Sequence, residues 1–458
     1  MKAASLDCES ISISRTRRRG AACAAFALFC ALGVPALPAP AAAPWIIVSD
    51  IHLNPADRSA VPVPQGRDTN GALLASAVAE MRRVDPQAPV VVITGDFLAH
   101  RFDYAKAGAT MSGLARLFDR AFPKAQFVIT LGNEDAGCAD YGFALNSAFA
   151  RSVVAAWTPL VDRNGAAPSF ARTFASEGFY VAKLPIARTE AVVLDDVFWS
   201  PFYHACGGNG TQDGAARTLD GLRSALSSGA EHRWVIAHIP PGIDAYASMQ
   251  VGHGFLAVPY LRAEPAAEFL RLLQEPAGDV SLALVAHSHR FAYRIAGAND
   301  GRPIPILLVP AISPIYKNAP AFLTVDVAGS GVVRAAEVHA MLDGRWQDIG
   351  GTRSLGLTEF SGEQLVRLQE RLAGDPAARA VFARLYGTGA TPEINERNWR
   401  SYWCTAVEFT PDDFRRCTGA GGFGILTGRA VWLAVLIALV LGALFVASRG
   451  RRVVRGQP

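Results

Sequence analysis

The chain predicts a layered α/β fold with a largely buried sheet, and three observations carry that expectation. Short runs of apolar, mostly β-branched residues alternate with stretches of helical periodicity. Five of those runs stop at an Asp, Asn or His, the pattern of a buried strand that carries a metal ligand at its tip. The segment from Ala43 to about Met341 is also long enough for one large domain around a single core.

The strands expected from this pattern are Ile46–Ser49 before Asp50-Ile51-His52 and Val90–Thr94 before Gly95-Asp96. Phe127–Leu131 precedes Gly132-Asn133, Trp234–Ala237 precedes His238, and Leu282–Ala286 precedes His287-Ser288-His289. Helices are expected between them. Asn70 to Arg83 is Ala/Leu-rich and follows an Asp-Thr-Asn cluster able to cap it. Ala105 to Phe122 and Ala263 to Gln274 read similarly, and Thr358 to about Tyr386 carries Leu365, Leu368 and Leu372 at helical spacing. Residues 355–425 are therefore expected to form a helical extension.

The tip residues include two Asp, one Asn and four His. Two divalent ions about 3.5–4 Å apart need a bridging carboxylate, with imidazoles and oxygens in the remaining positions. Neutral imidazole with carboxylate suits zinc first, then manganese or iron, whereas an all-oxygen set would suit magnesium or calcium. Strand ends are apt mounts, because the sheet fixes their spacing and leaves the loops beyond free to hold substrate.

The order D-x-H, G-D, G-N, H and H-x-H, from Asp50 to His289, resembles the calcineurin-like metallophosphoesterase superfamily. Gly95-Asp96-Phe97-Leu98-Ala99-His100 and Ala237-His238-Ile239-Pro240-Pro241-Gly242 look like the acid sphingomyelinase-like phosphodiesterase branch, with endopolyphosphatases as a neighbouring branch. So do Pro310–Pro314, Asn318–Phe322, Asn398-Trp399-Arg400 and the Cys404/Cys417 pair. The resemblance implies a four-layer αββα sandwich over 44–341. It implies that Asp50, His52, Asp96 and His289 hold one ion, and that Asp96, Asn133, His238 and His287 hold the other. A water or hydroxide shared between the metals would then attack phosphorus in line.

Two departures stand out. The family's G-N-H is Gly132-Asn133-Glu134 here, so a carboxyl replaces the imidazole expected near the leaving group, and Ala286 replaces the first Gly of G-H-x-H. His100, with Glu134 beside it as a second candidate, is the expected proton donor to the leaving oxygen. Three functions compete: a phosphodiesterase acting on a lipid head group or nucleotide, a phosphatase or endopolyphosphatase, and a non-hydrolytic module displayed at a membrane. The full ligand set argues against the last.

The chain ends bear on location. Arg15-Thr16-Arg17-Arg18-Arg19, an apolar stretch Ala21–Val34 and Ala39-Pro40-Ala41 read as a secretory signal over residues 1–43, since fourteen apolar residues are short for a membrane anchor. Ala430 to Ala447 carries no charge and is followed by Arg449, Arg451, Arg452 and Arg455. This reads as one transmembrane helix (430–447) with a basic cytoplasmic tail (448–458) and a catalytic domain facing a periplasmic, extracellular or lumenal space. Outside the signal remain Cys138, Cys206, Cys404 and Cys417, an even number suited to an oxidising compartment. Cys404–Cys417 and Cys138–Cys206 are the favoured pairs, against four free thiols or Cys138 as a soft ligand.

The net charge of +4 rests on arginines in the two termini, so no nucleic-acid footprint is expected. Gly207–Gly210 reads as loop rather than a phosphate cradle, and no internal repeat or heptad run is present. His204, His232, His253 and His339 lie outside any motif and read as solvated or core residues, with His204 and His253 in long loops that could approach the site.

Overall fold

The structure is a computed structural model that describes residues 43–206, 213–252, 256–276, 279–299 and 301–419. In chain order the strands are β1 (Trp45–Val48), β2 (Val90–Thr94), β3 (Gln126–Thr130), β4 (Phe179–Lys183), β5 (Thr189–Leu194), β6 (His232–Ile236) and β7 (Ile243–Asp244). They continue as β8 (Val258–Pro259), β9 (Val280–Val285), β10 (Ala292–Ala296), β11 (Ile304–Leu308), β12 (Ala321–Val327), β13 (Val333–Leu342) and β14 (Arg345–Gly351). They form two six-stranded mixed sheets, ordered β14-β13-β12-β1-β2-β3 and β10-β11-β9-β6-β5-β4, beside a small β7-β8 ribbon.

The sheet centres are parallel: β1 with β2, β2 with β3, and β5, β6, β9 and β11 side by side, with a register shift at Arg233/Trp234 between β6 and β9. Parallel strands covered on both faces need continuous apolar sequence. The buried runs of β1, β2 and β9 supply it. The two sheets share one core. Trp45 of β1 packs on Trp234 of β6 with ring centroids 5.0 Å apart. At the β3 edge, the Tyr180 hydroxyl of β4 donates to Ile129 O (2.8 Å) and accepts from Ile129 N (2.9 Å), satisfying backbone groups that no further strand pairs.

Helices occupy the crossovers. Gly71–Val84 joins β1 to β2, and its start is fixed by Asn70, whose side chain accepts from Leu73 N at 2.9 Å. Ala107–Ala121 joins β2 to β3, and Ala263–Leu273 precedes β9. The helical stretch expected at 358–386 is two helices, Gly362–Gly374 and Pro376–Tyr386. Asp375 separates them by capping the second with bonds from Ala377 N and Ala378 N, and Pro376 stands at its first turn. Two short helices follow, Trp399–Thr405 and Pro411–Thr418, joined by the Cys404–Cys417 disulfide. The second disulfide links Cys138 and Cys206.

The sheet does not stop at Met341. That position falls inside β13, and β14 continues the pairing to Gly351. β14 escaped the sequence reading because it is mostly polar and only partly buried, so no apolar run marks it. No helix among the described residues is long and apolar enough to cross a membrane. The expected span 430–447 and tail 448–458 lie outside the described residues, as do all but Ala43 of the expected signal, the Gly207–Gly210 loop and His253.

The C-terminal helices are tied to the second sheet by a buried cation. Arg294 of β10 donates to Thr405 O (2.9 Å) and Ile243 O (2.8 Å), and Ile295 N donates to Ala406 O (2.7 Å). Hydrogen bonds from a charged donor contribute about 1.5–3 kcal/mol each. Arg294→Ala should therefore lower unfolding stability by about 2–4 kcal/mol, read from the urea midpoint, with partial recovery in Arg294→Lys. An unchanged midpoint would mean that this clamp does not hold the helices.

Candidate metal centre

All seven expected ligands lie just beyond the C-terminal ends of β1, β2, β3, β6 and β9, where parallel strands deliver their tips to one edge. Five of them have left-handed backbone: Asp50 (φ 46°), His52 (44°), Asp96 (54°), His287 (65°) and His289 (59°). A non-glycine residue held there costs on the order of 1–3 kcal/mol, and such strain gathers at functional sites. Neighbouring loops impose it. Asp50 N donates to Gly95 O at 3.0 Å, His52 N to Asp96 O at 2.9 Å, and Ala286 N to His238 O at 2.7 Å.

Two motif glycines are fixed by close approach. A Cβ on Gly95 (φ 98°) would meet His238 Nδ1 and Gly132 N at 2.7 Å, and one on Gly132 would lie 2.2 Å from Asp96 Oδ1. Glycine at both positions is what allows the tips of β2, β3 and β6 to converge.

Among the described residues the ligand atoms form two triads, Asp50 with His52 and His289, and Asp96 with His238 and His287, and a third group shares His52 with Asp68 and His100. Asp96 Oδ2 stands between them, 3.5 Å from His52 Nε2 and 3.2 Å from His238 Nε2. Its Oδ1 accepts from Glu134 N at 2.8 Å. Asp50 Oδ1 lies 3.4 Å from His289 Nε2. The two Nε2 atoms of His52 and His289 approach to 3.0 Å. His52 Nδ1 donates to Leu98 O (3.0 Å) and His238 Nδ1 to Thr94 O (2.7 Å), which leaves each Nε2 lone pair facing inward.

This donor set fits divalent cations. Both Asp50 oxygens and Asn133 Oδ1 are buried without a hydrogen-bond donor, an arrangement that is costly unless a cation sits beside them. Burial pushes Asp50 up to about 7, and it holds His52 down at about 4 and His287 at about 3. His289 is likewise held well below its ordinary value by burial, with His52 and Arg290 adding. His238 is raised to about 10 against its burial by the Asp96 carboxylate. Imidazoles and desolvated carboxyls converging on one point, with three of the four imidazoles disfavoured as cations by burial, are the chemistry of a metal site.

The two expected proton donors meet at the edge of this cluster. His100 stacks on His52 with centroids 4.5 Å apart and planes 19° from parallel. Its Nδ1 lies 2.9 Å from Asp68 Oδ1, and its Nε2 is 3.2 Å from the Tyr316 hydroxyl and 3.8 Å from Glu134 Oε1. Burial works against the His100 cation, but Asp68, Glu134 and Asp96 outweigh it and hold the imidazole at about 9. Burial, together with Asp96 and Asp140, pushes Glu134 up to about 9, and Tyr104 donates to its Oε2 at 3.3 Å.

Several site residues were missed in the sequence. Asp135 accepts from Phe97 N, Leu98 N and Gly132 N and so ties the β3 loop to the β2 loop. Asp196 accepts from His238 N and Ile239 N. The signal for Asp135 was its place directly after the third motif, and that for Asp196 was the apolar run Ala191–Leu194 just before it, whereas Asp68 sits in a loop with no patterned run before it. Among the described residues, His204, His232 and His339 stay outside both triads. His204 bonds Asp140 O, His232 bonds Asp279, and His339 bonds Thr324 and stacks on Phe322. A groove of about 320 Å³ opens beside His287, lined by Tyr246, Tyr260, Arg290, Tyr316 and Lys317 among others. Its far wall includes Glu393, which accepts two bonds from Arg290.

Curated relatives carry related names. The chain is 24% identical over 277 residues to acid sphingomyelinase-like phosphodiesterase 3b of Mus musculus, covering 59% of this chain and 58% of that protein. It is 23% identical over 264 residues to sphingomyelinase phosphodiesterase D of Dictyostelium discoideum, covering 56% of each. The Homo sapiens phosphodiesterase 3b is 19% identical over 446 residues, 86% of this chain and 93% of that protein. The chain thus spans less than two thirds of the length of the first two. Residues 43–291, more than half of the sequence, match the calcineurin-like phosphoesterase description, and the chain belongs to that family.

Proposed function

We propose that this chain is a two-metal phosphodiesterase of the acid sphingomyelinase-like kind, built as a four-layer sandwich with a helical C-terminal extension. The observation that carries the reading is Asp96, one oxygen of which lies within 3.5 Å of an imidazole from each triad. Asp50, His52, Asp96 and His289 would hold one divalent ion, and Asp96, Asn133, His238 and His287 the other, with zinc favoured by the imidazole share. Ions bound there would supply an activated water and would neutralise charge on the non-bridging phosphoryl oxygens.

The chain's own residues do the rest. Thr94 O and Leu98 O orient the His238 and His52 rings through their Nδ1 protons. Glu134 N holds Asp96 Oδ1, which leaves Oδ2 free to span the two triads. His100 delivers a proton from Nε2 to the departing alkoxide oxygen, with Glu134 Oε1 beside that nitrogen at 3.8 Å. The groove beside His287 receives the leaving group.

The catalytic domain acts outside the cytoplasm, on a lipid head group or nucleotide. The two disulfides support that compartment, and the apolar run 430–447 with its arginines supports a C-terminal anchor.

Two tests follow. Asp96→Ala should lose bound metal by elemental analysis and lower kcat at least about a hundredfold; retention of two ions with full activity would refute the bridging role. Bis-p-nitrophenyl phosphate should be cleaved faster than p-nitrophenyl phosphate. Monoester cleavage alone would move the reading to a phosphatase or endopolyphosphatase, and metal binding without turnover of either would make Glu134→His the decisive variant.

A further inference from the structure

We propose that Asp140 is a positioning residue that acts through Asn133, turning the carboxamide so that its oxygen and not its nitrogen faces the ion; this rests on the reading of Asn133 as a metal ligand. Asn133 Nδ2 donates to Asp140 Oδ1 at 2.9 Å, and a carboxylate can only accept. The two ends of a carboxamide share one plane, so pinning the nitrogen on Asp140 turns the oxygen the other way. Asn133 Oδ1 is the end left buried without a donor. Half a turn of the amide would set Oδ1 against the Asp140 carboxylate and aim N–H donors at the cation, losing a hydrogen bond and a ligand together. A carboxylate ligand presents oxygen whichever way it turns; a carboxamide has to be told.

The loop after β3 is closed around this bond. Tyr141 N donates to Asn133 O at 2.9 Å, so the residue after Asp140 grips the backbone of the side chain that Asp140 orients. Gly142 N donates to Ala139 O (2.7 Å) and Gly137 N to Gly142 O (3.0 Å). Tyr141 is held left-handed (φ 56°), which a bulky residue adopts only where its surroundings impose it. The loop after β5 does so. His204 N donates to Tyr141 O (3.2 Å), His204 Nε2 lies 3.0 Å from Asp140 O, and Cys206 is joined to Cys138. Gly142 carries no side chain because a Cβ there would lie 2.5 Å from Cys138 Sγ and 2.7 Å from His204 Cε1. Asp140 is exposed, yet its backbone is fixed from both sides, and this lets a surface carboxylate orient a buried ligand.

The effect is confined to one ion. Asp50, His52 and His289 come from the tips of β1 and β9, and His52 is oriented by Leu98 O. Asp96 is held by Glu134 N, a backbone group that the Asp140 side chain does not supply. Loss of the Asp140 carboxylate therefore frees the Asn133 amide to turn and leaves the other triad as it was.

The test is a zinc titration of full-length protein stripped of metal, with affinities read by competition against a chromophoric chelator. Wild type would be compared with Asp140→Ala, Asp140→Asn, Asn133→Ala and the Asp140→Ala/Asn133→Ala double variant. Asp140→Ala should weaken one of two ions about ten- to a hundredfold and leave the other within about twofold. Asn133→Ala should weaken the same ion, and the double variant should fall no further, because residues acting as one unit are not additive. Asp140→Asn removes the charge but keeps an acceptor oxygen, so it should keep most of the wild-type affinity. Asp140→Leu, which also lacks an acceptor, carries the test if Asp140→Ala fails to fold. Equal weakening of both ions would make Asp140 a purely structural residue and overturn the inference. Losses that multiply in the double variant, or an Asp140→Asn as weak as Asp140→Ala, would make it a charge effect and overturn it too. Two ions in wild type that ignore Asp140→Ala sink only the inference. Fewer than two ions in wild type, with no loss in Asn133→Ala, remove the two-metal reading as well.

Discussion

A carboxylate 2% exposed cannot stay ionised in a protein interior without positive charge beside it, and Asp96 is placed where that constraint is sharpest. One of its oxygens is held by a backbone N–H and the other is shared between imidazoles of two different sheets. Much of the surrounding structure serves this position. Gly132 has no side chain because Asp96 Oδ1 occupies the space, and Gly95 has none because the His238 ring lies against it. Asp135 is buried to hold the backbone that turns around it. A carboxylate that bridges two ions, as proposed, would give these features a common cause.

The same demand explains why the site is expensive to fold. Five left-handed ligand residues and a cluster of desolvated carboxyls oppose the stability that the apolar strands provide. Such a centre is stable in the folded chain when a compensating charge is bound. The fold supplies rigidity by mounting every ligand within a few residues of a strand end, so the loops beyond are free to differ. The Glu134 position is one such freedom, a carboxyl where relatives by motif carry an imidazole, still aimed at His100 across 3.8 Å.

Much of this was legible in the sequence because strand ends and metal ligands leave local signals. A buried parallel strand must be a continuous apolar run, so β2 was read to its last residue and β1, β3, β6 and β9 to within two residues at either end. Asn70 announced its helix because an N-cap is a local hydrogen bond. What escaped has no local signature. The strand order within each sheet depends on partners far apart in the chain, such as β1 beside β12, and periodicity alone does not show it; the division into two sheets was implied only by the family resemblance. Arg294 looks like a surface cation until Thr405 and Ile243 are folded onto it. Asp68 reads as a capping or loop aspartate, and only the approach of the β2 loop makes it a partner of His100.

The central claim is a pair of ions spanned by Asp96. Anomalous diffraction from zinc-loaded crystals tests it directly. Two peaks about 3.5–4 Å apart, one beside Asp50, His52 and His289 and the other beside Asn133, His238 and His287, with Asp96 Oδ2 between them, are the predicted result. A single peak, or two that leave Asp96 uncoordinated, would contradict it.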